Sequence, residues 1–160
     1  MASLVLALTL ALTACGTGVT VADPDLTLHG AKAIAQEGER DIVALIPDEL
    51  IISVDQRPTG SLLSCTGQRN YQWAGGTTVT VIPDTDLDAI VDDIAHAYKA
   101  KEPWTVTRRT ESAGYPKYLI SHPHAASYVV SAWTDPDQVN IYSFSPCFHL
   151  PDDMTPHGSY

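Results

Sequence analysis

The chain has 160 residues, of which 44% are hydrophobic and 18% charged, and it carries 9 basic against 19 acidic side chains. That length fits one domain, since domains typically span roughly 100–200 residues, and it leaves no room for a second lobe of enzyme size. The apolar content argues against wholesale disorder, and the formal charge of -10 argues against a nucleic-acid-binding surface, which needs clustered Lys and Arg to neutralise phosphates.

The chain begins with the pattern of an export signal over residues 1–14. Leu4 to Ala14 is an uncharged apolar run of eleven residues. It is shorter than the roughly 20 residues that a membrane-spanning helix needs, and it is typical of the apolar region of a secretory signal. Residues 1–3 contain no Lys or Arg, whereas such signals usually open with basic residues. We therefore expect that the natural start lies upstream or that a few residues have been lost.

The apolar run ends in Leu12-Thr13-Ala14-Cys15, which resembles the lipobox of bacterial lipoproteins. The resemblance implies that the signal is cleaved before Cys15 and that the Cys15 thiol carries diacylglycerol. Two acyl chains on one residue anchor a protein stably to a membrane. We therefore expect a lipid-anchored protein on the extracytoplasmic face of the cell membrane. The alternative is an ordinary secreted protein in which Cys15 is a free thiol.

The segment behind the lipobox, residues 15–25, is small and polar, which predicts a flexible tether. Export places the other two cysteines, Cys65 and Cys147, in an oxidising compartment. With Cys15 acylated they are the only thiols left, so we predict a structural Cys65–Cys147 disulfide. Alternatively, the two cysteines could form half of a metal site, but metal binding needs thiolates, which an oxidising compartment disfavours. A redox role is not indicated, because the C-x-x-C spacing is absent.

The first part of the domain predicts one helix and two strands. Helical spacing of apolar residues extends from Thr27 to Ile46, and Leu50 to Val54 is a short β-rich run. Residues 56–70 contain Pro, Gly and Ser and predict a long loop, after which Tyr71 to Ile82 predicts a strand. Gly75-Gly76 would change the register of that strand if it formed a bulge or a hairpin tip.

The second part predicts a helix followed by four strands. Thr85 is the expected N-cap of the helix, whose apolar stripe recurs at helical spacing from Leu87 to Tyr98 before Pro103 ends it. The connections between the strands are too short for helical crossovers, so we expect an antiparallel meander. The four predicted strands are Trp104–Thr110, Lys117–Ser121, Ser127–Trp133 and Val139–Phe144, separated by turn signals at Ala113-Gly114, Pro123 and Asp135-Pro136-Asp137.

Together these elements predict an α+β two-layer sandwich, with an antiparallel sheet of about five to six strands and two helices packed on one face. The exposed face of the sheet would carry polar side chains such as Thr105, Thr107 and Arg109. We place this single domain at residues 26–150. Residues 151–160 hold prolines and little apolar content, so we expect a frayed tail.

Three further segments carry a family resemblance: Ser64-Cys65, the run NYQWAGG from Asn70 to Gly76, and Ser145-Pro146-Cys147-Phe148. Together with the lipobox they resemble small actinobacterial envelope lipoproteins of the LppA-like kind. The resemblance implies an α+β domain in which a cysteine near the first β-hairpin is bonded to one in a late S-P-C-F element. It also implies no established enzymatic activity, and it supplies no functional residues.

One pair of histidines has the spacing of a weak metal site. His122 and His124 flank a proline and could ligate zinc or copper, with His149 or Asp135 completing the set, but histidines in turns are mostly solvated. We therefore expect no metal and no cofactor.

The acidic residues around the second helix have a simpler explanation. Asp84, Asp86 and Asp88 have the 1-3-5 spacing of a calcium loop but lack its glycine and its bidentate glutamate, so helix capping explains them better. Asp92 and His96 lie one helical turn apart, and we interpret them as a solvated ion pair.

The sequence contains no G-x-S-x-G, S-x-x-K, P-loop or G-x-G-x-x-G motif. We therefore expect a non-enzymatic binding or structural component of the envelope, whose protein or glycan partner the sequence does not identify. An envelope hydrolase with a Ser/His/Asp site assembled in space is one alternative. A glycan-binding module that uses exposed aromatics is another, although we expect Trp73, Trp104 and Trp133 in the core.

Overall fold

The computed structural model describes residues 22–110, 116–134 and 137–160. These ranges leave out the predicted signal, the predicted lipid-attachment residue Cys15, most of the predicted tether, the predicted turn at Ala113-Gly114, and Asp135. Within them, neither helix is long and apolar enough to cross a membrane. The helices are α1 (Leu28–Val43) and α2 (Leu87–Lys99), and the strands are β1 (Ile51–Gln56), β2 (Ser61–Ser64), β3 (Asn70–Val81), β4 (Thr105–Thr110), β5 (Pro116–Ser121), β6 (Ser127–Thr134), β7 (Asp137–Phe144) and β8 (Phe148–His149).

The predicted α+β two-layer sandwich is confirmed, with all the paired strands antiparallel in one sheet. The main strand order is β1-β3-β7-β6-β5-β4, α1 packs over β3 and β7, and α2 packs over β4 to β7. The sheet has eight strands and is larger than predicted. The additional strands, β2 and β8, both pair with the first half of β3. The predicted long loop at 56–70 therefore contains a strand that β3 stabilises by pairing.

The long central strand β3 is continuous through Gly75 and Gly76, which form neither a bulge nor a hairpin tip. Close packing explains both glycines. A Cβ atom at Gly76 would lie 2.5 Å from the Ile141 carbonyl oxygen, and one at Gly75 would lie 2.0 Å from the Trp73 ring. The helix-facing alternation along β3 is therefore preserved, and Trp73 at its start is fully buried.

Both helices begin at a side-chain cap. The Thr27 hydroxyl accepts a hydrogen bond from the Gly30 amide at 3.1 Å at the start of α1. The prediction of Thr85 as the cap of α2 is wrong. The Asp86 carboxylate accepts from the Ala89 amide at 3.0 Å, while the Thr85 hydroxyl donates backwards to a carbonyl oxygen. The predicted apolar stripe of α2 is confirmed, since its six members are buried: Leu87, Ile90, Val91, Ile94, Ala95 and Tyr98.

The interior consists of two apolar clusters. The larger lies between α2, the end of α1 and the middle of the sheet. The smaller, here called the second core, consists of Ala31, Ala35, Trp73, Phe148 and Leu150, all with no exposed surface.

A buried carboxylate lies beside these clusters. Glu39 of α1 has no exposed surface and accepts hydrogen bonds from Thr77 at 2.7 Å, from Gln56 at 2.8 Å and from the Ser143 hydroxyl. Three donors offset the cost of removing this side chain from water.

Candidate functional site

A cavity of about 620 Å³ lies between the beginning of α1 and the last ten residues of the chain. Its volume is within the roughly 300–1,000 Å³ typical of small-molecule sites. One wall comes from the end of the predicted tether and the beginning of α1, and the other comes mainly from the predicted tail. The lining residues are Pro24, Asp25, Leu26, Thr27, Leu28, His29, Lys32, His149, Pro151, Met154 and Tyr160.

The apolar part of the cavity lies against the second core. Leu26, Leu28, Met154 and Tyr160 line the cavity and also pack against the buried members of that cluster, among them Trp73. These four side chains remain only half-buried, because no further segment of the described chain covers them. A ligand with an apolar body would bury the surface that they leave exposed.

Backbone hydrogen bonds hold the first wall in place. The Asp23 amide donates to the Cys147 carbonyl oxygen at 2.9 Å, and Asp23 forms a parallel bridge with Phe148. The Leu26 amide then donates back to the Asp23 carbonyl oxygen at 3.3 Å, which turns the chain into α1. The wall is therefore fixed to β8 before the helix begins.

The second wall corrects the prediction of a frayed tail. Tyr160 and Gly60 exchange two backbone hydrogen bonds of 2.7 and 3.0 Å, and the indole N–H of Trp73 donates to the Tyr160 carbonyl oxygen at 3.0 Å. These contacts join the tail to residues about one hundred positions earlier in the chain. The composition of the tail predicts fraying, because composition carries no information on contacts with distant residues such as Gly60 and Trp73.

Arg69 holds the middle of the same wall. Its guanidinium donates to the carbonyl oxygens of Leu150 at 3.0 Å, of Met154 at 2.9 Å and of Pro151, and it forms an ion pair of 3.1 Å with Asp152. One side chain thus contacts Leu150 and three residues of the tail. Contacts within the chain therefore hold this wall of the cavity in place.

The predicted disulfide between Cys65 and Cys147 is present, with Cα atoms 6.3 Å apart. Cys147 accepts the hydrogen bond from Asp23 and precedes β8, so the bridge lies at the base of the first wall. It closes a loop with a sequence separation of 82 residues. The disulfide therefore links the connection between β2 and β3 to the segment that supports the first wall of the cavity.

The rim of the cavity carries more basic side chains than acidic ones, although the chain has a formal charge of -10. Lys32, His29 and His149 line it, against one acidic side chain, Asp25. The Lys32 ammonium lies 5.8 Å from the centroid of the Trp73 ring, within the range of a cation–π interaction. Lys32 therefore places a positive charge directly beside the apolar lining.

The weak metal candidates lie at a different place. The His122 ring packs against Trp104 with 4.8 Å between centroids, and its Nδ1 accepts a hydrogen bond from the His124 amide at 3.1 Å. His149 belongs to the cavity wall, where its Nδ1 lies 3.3 Å from Asn70 Oδ1. Within residues 22–110, 116–134 and 137–160, no three His, Cys, Asp or Glu side chains form a group that could hold a metal ion.

The acidic residues near α2 have structural contacts. Asp86 caps the helix and Asp88 lies in its first turn, while the Asp84 amide donates to the Asp137 carboxylate at 3.0 Å. The predicted ion pair between Asp92 and His96 is wrong. The Asp92 carboxylate accepts from the Tyr118 hydroxyl at 2.6 Å, and the His96 ring bonds the Asp92 backbone carbonyl oxygen at 2.9 Å.

The three tryptophans have three different environments. Trp73 is fully buried, Trp104 is half-buried, and Trp133 is 57% exposed, so the expectation of a core position is wrong for Trp133. Trp133 lies on the sheet face that the helices do not cover, here called the open face. Tyr142, on the neighbouring strand, lies on the same face. The polar side chains predicted for that face, Thr105, Thr107 and Arg109, are exposed.

A comparison of the chain with protein-family models, curated proteins and solved structures finds no match. The geometry of the cavity is therefore the basis of the functional argument. Sequence reasoning did not find this site. The only signal for it was the presence of large side chains at the two ends of the predicted domain, Leu26 and Leu28 at its start and Met154 and Tyr160 in the tail behind it.

Proposed function

We propose that the protein is a lipoprotein held through Cys15 on the extracytoplasmic face of the cell membrane, and that its domain binds an apolar ligand without catalysing a reaction. The cavity between the beginning of α1 and the tail is the proposed binding site. The observation that carries the proposal is a cavity of about 620 Å³ whose apolar lining lies on the second core and whose walls are already fixed. Preformed apolar cavities with a few polar groups are the usual form of a ligand site.

Two features support the membrane location. The lipobox-like run ending at Cys15 follows an apolar segment of the length of a secretory signal. The disulfide between Cys65 and Cys147 fits an oxidising compartment outside the cytoplasm. A Cys15→Ser variant tests the anchor: we expect it to leave the membrane fraction on cell fractionation, and continued membrane association would reject the lipid attachment.

The binding activity is tested with an uncharged apolar probe, N-phenyl-1-naphthylamine, whose fluorescence rises in apolar surroundings. The protein is the mature chain carrying Cys15→Ser, exported behind an ordinary cleavable leader so that the disulfide forms. We expect saturable uptake by this chain and a loss of roughly tenfold in affinity for Met154→Gln, which puts an amide into the apolar lining.

Met154→Leu is the matched control, because it conserves both volume and polarity and should bind the probe normally. Near-UV circular dichroism establishes that both variants are folded. Equal probe binding by Met154→Gln and Met154→Leu would place the probe outside this cavity, and no saturable binding by the parent chain would reject the proposed function.

The open face of the sheet favours a second candidate function, glycan binding. Trp133 is 57% exposed and Tyr142 is 39% exposed there. A second cavity, of about 320 Å³, adjoins Tyr142, and the Arg57 guanidinium lies 5.9 Å from that ring. Aromatic faces rimmed by polar groups offer large, rigid contact surfaces to a partner. This candidate predicts that Trp133→Ala and Tyr142→Ala reduce cosedimentation with insoluble cell-wall glycan, whereas Ile52→Ala, equally exposed on β1, does not.

A further inference from the structure

We propose that the ligand of the cavity beside the tether is a single-chain lipid with an anionic head group, taken up from the membrane to which the protein is anchored. This inference rests on the proposed function and names the ligand class of the same site. The acyl chain would lie on Leu26, Leu28 and Met154, and the acidic head group would pair with Lys32.

The length of the tether limits the distance between the cavity and the anchored residue. Pro24, the first lining residue, is nine residues beyond Cys15. An extended chain spans at most about 3.3–3.6 Å per residue, so this wall lies within roughly 30 Å of the anchored residue. If lipid at Cys15 holds the protein, this wall therefore stays within the length of the tether from the bilayer. A membrane lipid is therefore the most concentrated apolar ligand near the cavity.

The charged side chains at the rim favour an anionic head group. Lys32 brings an ammonium group to the edge of the apolar lining, where the Trp73 ring faces it at 5.8 Å. His29 and His149 add imidazole rings on the two walls, and Asp25 is the one acidic side chain among the lining residues. An acidic head group would gain a charge-assisted contact with Lys32, whereas a cationic head group would be repelled by it.

The volume of the cavity favours a ligand with one acyl chain. A volume of about 620 Å³ accommodates a molecule of the drug-sized class. A fatty acid or another single-chain amphiphile belongs to this class, whereas a two-chain phospholipid is larger. The protein's own acyl chains at Cys15 are a different potential occupant. Withdrawal of one of them would weaken the anchor, since stable attachment requires two chains in the membrane.

The test is isothermal titration of the mature Cys15→Ser chain, which has no acyl chain of its own, with palmitate below its micellar concentration. Hexadecyltrimethylammonium is the chain-matched cationic ligand. We expect one palmitate per chain and at least tenfold weaker binding of the cation. Lys32→Gln should weaken palmitate binding roughly tenfold and weaken binding of the uncharged naphthylamine probe much less, while Lys32→Arg should retain palmitate binding.

The outcomes separate this inference from the proposed function. If Lys32→Gln binds palmitate normally, or if the cationic ligand binds as well as palmitate, the head-group assignment is overturned while the apolar site stands. If the naphthylamine probe binds but palmitate does not, the ligand class is likewise overturned. If the lipidated protein, after removal of all non-covalently bound lipid, still excludes the probe whereas Cys15→Ser takes it up, the protein's own acyl chain fills the cavity and the inference is wrong.

Discussion

The indole N–H of Trp73 donates a hydrogen bond to the backbone carbonyl oxygen of Tyr160 at 3.0 Å, across 87 positions of the chain. Trp73 is fully buried at the start of β3, where an unpaired indole N–H would carry a desolvation cost of about 1–3 kcal/mol. The tail therefore satisfies a donor of the second core as well as forming a wall of the cavity. Ligand site and fold are coupled through this contact, so variants that release the tail should impair both.

The first prediction concerns Arg69, which positions the tail. Arg69→Ala removes its hydrogen bonds to Leu150, Pro151 and Met154 together with the ion pair to Asp152. We expect a loss of about 1–2 kcal/mol in unfolding free energy, a modest figure because this side chain is 31% exposed. We also expect faster hydrogen exchange at the Leu150 amide and weaker binding of the apolar probe. Arg109→Ala, on the open face, is the control and should change none of these; unchanged exchange at Leu150 in Arg69→Ala would contradict the assigned role.

The second prediction concerns the disulfide. The double variant Cys65→Ser, Cys147→Ser frees a loop with a separation of 82 residues. The chain-entropy account predicts a loss of about 4–5 kcal/mol, to be measured by urea unfolding. Probe binding should fall in parallel, because Cys147 supports the first wall through Asp23. Cys15→Ser is the control, and its unfolding midpoint should match that of the parent domain; an equal midpoint for the double variant would show that the bridge is not a staple.

The third prediction concerns the buried carboxylate of Glu39. Glu39→Ala leaves the hydroxyls of Thr77 and Ser143 without their acceptor and creates a void beneath α1. We expect a loss of about 3 kcal/mol or more in unfolding free energy. Glu37→Ala is the matched control, because Glu37 is exposed on the same helix and should cost less than about 0.5 kcal/mol. Similar unfolding curves for the two variants would mean that the hydrogen-bonded carboxylate contributes nothing.

The fourth prediction is a loss of stability at alkaline pH. Burial raises the pKa of Tyr98 from 10.0 to about 12, with a smaller contribution from the Asp41 carboxylate, and burial also raises the pKa of Tyr128. Above pH 10 the unfolded chain loses phenolic protons that the folded chain retains. These groups therefore leave stability unchanged below about pH 10 and lower it as the pH rises toward 12, by up to about 2–3 kcal/mol for Tyr98.

Urea unfolding at intervals between pH 8 and pH 11.5 measures this effect. Tyr98→Phe removes the titrating hydroxyl while keeping the ring that packs edge-on against Trp104, with 5.0 Å between centroids. The decline of unfolding free energy above pH 10 should be shallower in this variant than in the parent chain. Parallel curves for the two proteins would contradict the origin assigned to the alkaline loss.

Local patterns predict the elements whose partners do not need to be known. The apolar stripe of α2 and the alternation along β5, β6 and β7 are visible in the sequence because each depends on the spacing of near neighbours. The disulfide was also predictable, because Cys65 and Cys147 have one way to pair once Cys15 is acylated.

The remaining features depend on contacts between distant segments. β2 has no pattern of its own and exists through pairing with β3, and the tail is ordered through Arg69 and Trp73. The Asp92 carboxylate bonds Tyr118 on the sheet instead of a neighbour on its own helix. The cavity combines both ends of the domain, so no single window of the sequence contains it. Periodicity within a window carries no information on such pairings.

The most direct test of ligand binding in the cavity is a two-dimensional NMR titration of the mature Cys15→Ser chain with palmitate, observing methyl groups and indole N–H groups. Binding in the cavity predicts saturable shifts of the methyl signals of Leu26, Leu28 and Met154, with the Trp133 indole signal unchanged. Shifts centred on Trp133 and its neighbours on the open face, with the three methyl groups unperturbed, would contradict it.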